Sequence, residues 1–76
     1  MTTTTKNLEE RDRLYREMID LDPDYAYAWG NYGSFLLGQK RYREAVQNLE
    51  RAVELKPYGL AVSQLAEARR KLNQAF

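Results

Sequence analysis

Cysteine and histidine are both absent from the sequence, and the two absences remove much of the chemistry a small domain could perform. Without cysteine there is no disulfide framework, no thiolate nucleophile and no cysteine-ligated zinc. Without histidine the chain lacks the usual base tuned near neutral pH and the commonest imidazole ligand. Neither a cofactor, a metal nor an enzymatic activity is expected. No apolar run approaches the length of a membrane span, and the opening MTTTTKNLEERDRLY lacks the apolar middle of a secretory signal. A cytoplasmic location without membrane attachment is the expectation. At 76 residues the chain can hold one domain, only a few helices deep.

Charge is nearly balanced, with 12 basic and 11 acidic residues, but unevenly placed. Residues 1–25 carry 4 basic and 7 acidic side chains, a net −3, and residues 26–76 carry 8 and 4, a net +4. Such polarity suits stacking of subunits or an acidic partner and is too small to imply nucleic-acid binding. The eight arginines are scattered over Arg41, Arg43, Arg51 and the Arg69 to Lys71 end, among others, and do not concentrate on one major-groove helix.

Four periodic segments follow a threonine-rich start, residues 1–6, which reads as a disordered tail. Asn7 and Glu10 resemble a capping box that starts a helix at Leu8. Leu8, Leu14, Tyr15, Met18, Ile19 and Leu21 supply its apolar stripe, and Pro23 stops it near Leu21. Asp24 is placed to cap a second helix, in which Ala26, Ala28, Trp29, Tyr32, Phe35 and Leu36 recur at spacings of three and four. Gly38 and the polar Gln39, Lys40, Arg41 end it, and so short a connection favours an antiparallel neighbour. The third segment is the cleanest: Tyr42, Ala45, Val46, Leu49, Ala52 and Val53 share one face and charged residues cover the other. Pro57 ends it and Gly59 lets the chain turn. A fourth helix runs from about Leu60 to Gln74, with Leu60, Val62, Leu65, Ala66, Leu72 and Phe76 as apolar candidates. Its basic end suits a helix C-terminus.

Aligning the two prolines exposes a period. Asp22 and Pro23 match Lys56 and Pro57 at a separation of 34 residues, and Leu21 matches Leu55, Ile19 Val53, Tyr15 Leu49, and Leu8 Tyr42. In residues 26–59, Trp29 is a large residue early in the first helix of the unit and Gly33 a small one a turn later. Tyr42 is an aromatic opening the second helix, Ala45 and Ala52 are small residues along it, and Pro57 closes it. This pattern resembles the tetratricopeptide repeat family. The resemblance implies an all-α, antiparallel helical-hairpin fold of the α-solenoid type with about four helices. One complete repeat lies at about 26–59 within a helical domain spanning 7–76. Residues 7–25 resemble a preceding second helix, with Arg11 where the family has alanine. Residues 60–76 resemble a following first helix, with Ser63, Glu67 and Arg70 at the tryptophan, glycine and aromatic positions. Both departures suggest capping helices. Lys40 stands where a glycine is usual, so that turn should be strained or differently shaped.

The family resemblance implies a concave face lined by first helices that receives a peptide or a partner's helix. The matching positions are Tyr27, Gly30, Asn31, Ser34 and Leu37. Gly30 weakens a helix interior, and beside Tyr27 and Asn31 it would open a shallow recess for a ligand. Asn31 also occupies the asparagine position of the family's carboxylate clamp, but the clamp positions of the following helix fall on Ala61 and Leu65, so the clamp is absent. The function implied is protein or peptide binding as an assembly or adaptor module, with structural homo-oligomerisation as the alternative. Leu14, Met18, Leu72 and Phe76 are the candidate oligomer contacts. Other chemical patterns have plainer readings. Asp20, Asp22 and Asp24 imitate a calcium loop that then fails at Tyr25 and Asn31. Glu50 and Glu54 read as solvated carboxylates, and Ser34 and Ser63 have no histidine to activate them.

Overall fold

The computed structural model describes residues 4–75 of the chain as four helices, α1 (Thr4–Leu21), α2 (Ala26–Gly38), α3 (Tyr42–Leu55) and α4 (Gly59–Gln74), with no strand among them. Phe76, one of the oligomer-contact candidates, and residues 1–3 lie outside the described residues. Helix α2 is central, touching α1, α3 and α4, while α4 lies mainly on α3. Composition explains this placement. The α2 sequence AYAWGNYGSFLLG is apolar nearly all round, and a helix of that kind is stable only when several neighbours cover it.

The α2–α3 hairpin carries the tightest packing. Leu36, Ala45, Leu49 and Ala52 are wholly inaccessible to solvent. Gly33 lets the helices meet here: a Cβ on it would lie 2.5 Å from Leu49 Cγ. Removing Leu36 and Leu49 from water contributes about 1.5–3 kcal/mol each. At the turn, the Lys40 N–H donates to the Leu37 carbonyl at 3.1 Å and the Arg41 N–H to the Leu36 carbonyl at 3.0 Å, a Schellman closure of α2. Lys40 sits in the left-handed region at φ 63°, as its replacement of the usual glycine implies. Gly38 is the last residue of α2, as expected, whereas Gly59 is the first residue of α4 without positive φ and does not supply the turn expected of it.

Helix α1 starts at Thr4, not at Leu8, and Asn7 therefore lies inside it and does not cap it. Once a helix has nucleated, each further residue costs little even in a threonine run. Its inner face is narrower than the sequence stripe. Ile19 is buried and Tyr15 half-buried, while Leu14, Met18 and Leu21 are exposed. Tyr15 stacks on Tyr32 at 5.8 Å and against Phe35 at 5.1 Å. Beside these rings Asp12 accepts a 2.6 Å hydrogen bond from the Tyr32 hydroxyl, a 3.0 Å bond from Arg41 and an ion pair from Arg16. Burial alone would raise the Asp12 pKa, but these donors hold it below the ordinary value, while burial and the facing Asp12 push the Tyr32 phenol up to about 12.

Helix α4 turns a different face inward from the one its sequence suggests. Ala61, Leu65 and Ala68 are buried, whereas Leu60, Val62 and Ala66 are exposed and Leu72 is half-buried beside Tyr42. Helix α4 packs mainly on α3 and only slightly on α2, so a single face is covered, and its alanines allow close approach there. Asp24 likewise does not cap α2. Tyr25 is the N-cap and forms no side-chain capping bond, and the Trp29 indole N–H instead ties the turn by donating to the Pro23 carbonyl at 2.8 Å.

Two substitutions test this packing. Ala45→Leu inserts three carbons where no space is exposed and should lower stability by about 1–3 kcal/mol in chemical denaturation; an unchanged midpoint would sink the hairpin assignment. Lys40→Gly relieves the left-handed backbone and should gain about 0.5–1 kcal/mol after the added unfolded-state entropy, a thermal midpoint a few degrees higher. A lower midpoint would show that the turn is not as described.

Candidate functional site

Of the α2 residues Tyr27, Gly30, Asn31, Ser34 and Leu37 singled out from sequence, only Asn31 is exposed. Gly30 is buried, and the recess expected beside it is filled. A Cβ on Gly30 would lie 1.8 Å from the Tyr58 hydroxyl oxygen, so the glycine accommodates the Tyr58 phenol. Asn31 is exposed and its side-chain amide forms no hydrogen bond with a described residue. Ser34 donates to the side-chain oxygen of Gln64 on α4, which ties the two helices together. Leu37 is half-buried and packs against the core.

Tyr27 belongs to an aromatic row. Its ring centroid lies 5.6 Å from Tyr25, nearly edge-on, and 4.5 Å from Tyr58, tilted by 44°. The Lys56 ammonium stands 5.4 Å from the Tyr27 centroid. Burial, and then the neighbouring phenols Tyr27 and Tyr25, hold the Tyr58 pKa above its ordinary 10.0. Tyr25, Tyr58 and Lys56 were not among the site residues read from sequence. The signal was present: Tyr25 and Tyr58 are the N-cap residues of α2 and α4, both with extended backbone. Two helices starting at the same end of the fold therefore bring both rings together.

The remaining repeat-pattern residues occupy the hairpin. Ala45 and Ala52 are sealed, Gly33 meets Leu49, and Trp29 and Tyr42 are half-buried at the edges. Residues 14–47 match the tetratricopeptide repeat family profile. By this match residues 14–47 carry a tetratricopeptide repeat. The matched stretch is one 34-residue period long and starts at residue 14, within α1, so it joins α1 and α2 to the first turns of α3. The chain is also similar to the protein O-mannosyl-transferase Tmtc2 of Drosophila melanogaster, 41% identical over 59 residues. That similarity covers 75% of this chain and 6% of the relative.

Other features of the repeat are structural. Ala61 and Leu65, where the family's clamp residues would stand, are buried and offer no cation to a carboxylate. Asp20, Asp22 and Asp24 are all exposed around the α1–α2 turn, and among the described residues no group of three metal-binding side chains converges. Glu50 pairs with Arg69 and Glu54 with Arg51. No described helix is long and apolar enough to cross a membrane.

Gly30→Ala tests the fit of Tyr58. The new methyl gains about 1 kcal/mol of helix propensity and displaces the end of a flexible ring, so the fold should survive. The Tyr58 phenol, freed from its buried seat, should titrate closer to 10.0 when followed by ultraviolet difference absorbance or NMR. A Tyr58 titration unchanged from the parent would refute the contact.

Proposed function

We propose that this chain binds an extended segment of another protein along the α2 face that carries Tyr27 and Asn31, acting as an assembly or adaptor module. Tetratricopeptide repeats are as a class protein-interaction modules, and the observation that supports this particular surface is Asn31. It is a polar side chain on a mostly apolar helix, exposed and uncommitted, one turn along from the half-buried Tyr27. Its amide can both donate to and accept from a peptide backbone, while the adjacent rings cover apolar side chains. In this reading residues 26–59 form the complete repeat, with α1 and α4 as flanking caps, and Ser34 and Leu37 continue the face toward its far end.

A structural homo-oligomer is the second reading, and a specific surface favours it. Leu14, Met18 and Leu21 follow one another at helical spacing on α1 and are 48%, 46% and 85% exposed. With Arg11 and Tyr15 the first two line a shallow groove of about 250 Å³.

Peptides selected by display against the intact chain separate the two. NMR shifts should map the selected ligands to Tyr27 and Asn31, and Asn31→Ala should weaken them by roughly 3- to 10-fold, one hydrogen bond's worth, without moving the thermal midpoint. A footprint confined to α1, together with a concentration-dependent mass in sedimentation equilibrium that Met18→Glu abolishes, would replace this reading with self-association.

A further inference from the structure

The row formed by exposed Tyr25 and half-buried Tyr27 and Tyr58, with Lys56 and Asn31 beside it, has a definite chemistry: flat aromatic surfaces, phenol hydroxyls, one ammonium and one uncommitted amide. We infer that the segment this face takes is a proline-containing, extended one, with prolines three residues apart and a carboxylate on a residue between or beside them. The inference rests on the peptide-binding reading above and names the ligand class.

The chemistry comes first. A polyproline II segment has no internal hydrogen bonds, so all its carbonyls are open to donors such as Asn31 and the phenols, and it surrenders little entropy on docking. Its proline rings lie flat on aromatic side chains, the general basis of proline-rich recognition by aromatic-lined grooves. A helical ligand has already satisfied its backbone and has nothing to offer these polar groups except at its ends.

Spacing gives the second argument. The outer rings Tyr25 and Tyr58 are at most about 10 Å apart, the two centroid separations laid end to end. One turn of polyproline II is three residues at ~3.1 Å each, about 9 Å. Prolines at the first and fourth positions thus cover a row of that maximum length, and the residues between them pass over Tyr27. There the Lys56 ammonium, 5.4 Å from the Tyr27 centroid, meets a carboxylate.

The test uses the intact chain and three blocked peptides. One carries two prolines three apart with aspartate between them, one replaces the prolines with alanine, and one replaces the aspartate with lysine. The proline–aspartate peptide should give saturable NMR shifts at Tyr25, Tyr27, Asn31 and Tyr58. Loss of proline should weaken it about tenfold, loss of aspartate about fivefold, and Lys56→Gln should erase the second difference. Tyr27→Ala, checked for helix content by circular dichroism, should abolish binding; should that variant unfold, Asn31→Ala takes its place, with an expected weakening of roughly 3- to 10-fold. Equal affinity for the alanine peptide, or no saturable shift with the proline peptide, overturns the inference. Display selection distinguishes the two levels: proline-free ligands that map to Tyr27 and Asn31 overturn the proline class and leave the binding face standing. Absence of any ligand on this face overturns both.

Discussion

Everything in this small fold hangs on the closeness of α2 and α3. The missing side chain of Gly33 admits Leu49 to within a distance no Cβ would tolerate, and Ala45 and Ala52 keep α3 narrow on its sealed side. Close approach is what makes Leu36 and Leu49 wholly inaccessible, and those are the largest fully buried side chains among the described residues. A chain of this size buries little surface, so its stability cannot be spread over many loose contacts. The same closeness requires a tight reversal between the helices, and that turn is formed at the expense of a left-handed lysine.

Helices α1 and α4 attach to the hairpin by different means. Helix α4 repeats the small-residue device with Ala61 and Ala68 around Leu65. Helix α1 lacks it, having Arg11 where α3 has Ala45 and Met18 where α3 has Ala52. It is fixed by rings and a polar lock: Tyr15 against Tyr32 and Phe35, and Asp12 shared by Tyr32, Arg41 and Arg16. Such a lock is directional, since hydrogen bonds and ion pairs specify orientation where apolar packing alone tolerates sliding. Arg41 is doubly useful because it also chelates Glu44 on α3, so the α2–α3 turn and α1 are secured by one guanidinium.

Much of this was legible from residue spacing, and the parts that were not have a common cause. The 34-residue period, the four helices, the hairpin and its small residues follow from periodicity, because α3 is strongly amphipathic and its two ends are punctuated. The inward face of α4 is not legible because Leu60 and Val62 outweigh alanines in any hydrophobic pattern, and because only α3 and, slightly, α2 cover this helix. Asp24 looked like a cap by residue type, yet the turn is held by the Trp29 indole from inside the helix. Gly30 was noticed as an unexplained helix breaker. Its partner, Tyr58, lies 28 residues away in sequence, and only the docking of α4 brings the two together.

The Gly30–Tyr58 pair joins the packing problem to the functional one. A tyrosine at the start of α4 would normally project into solvent. Here its hydroxyl is seated over a helix that has no side chain at that position, and the ring is thereby held within 4.5 Å of Tyr27. Side chains immobilised before binding have less freedom to lose when a ligand arrives. The ordering cost of that ring is met during folding. Under the proposed peptide-binding reading, a glycine that weakens α2 as a helix strengthens it as a platform for a ligand.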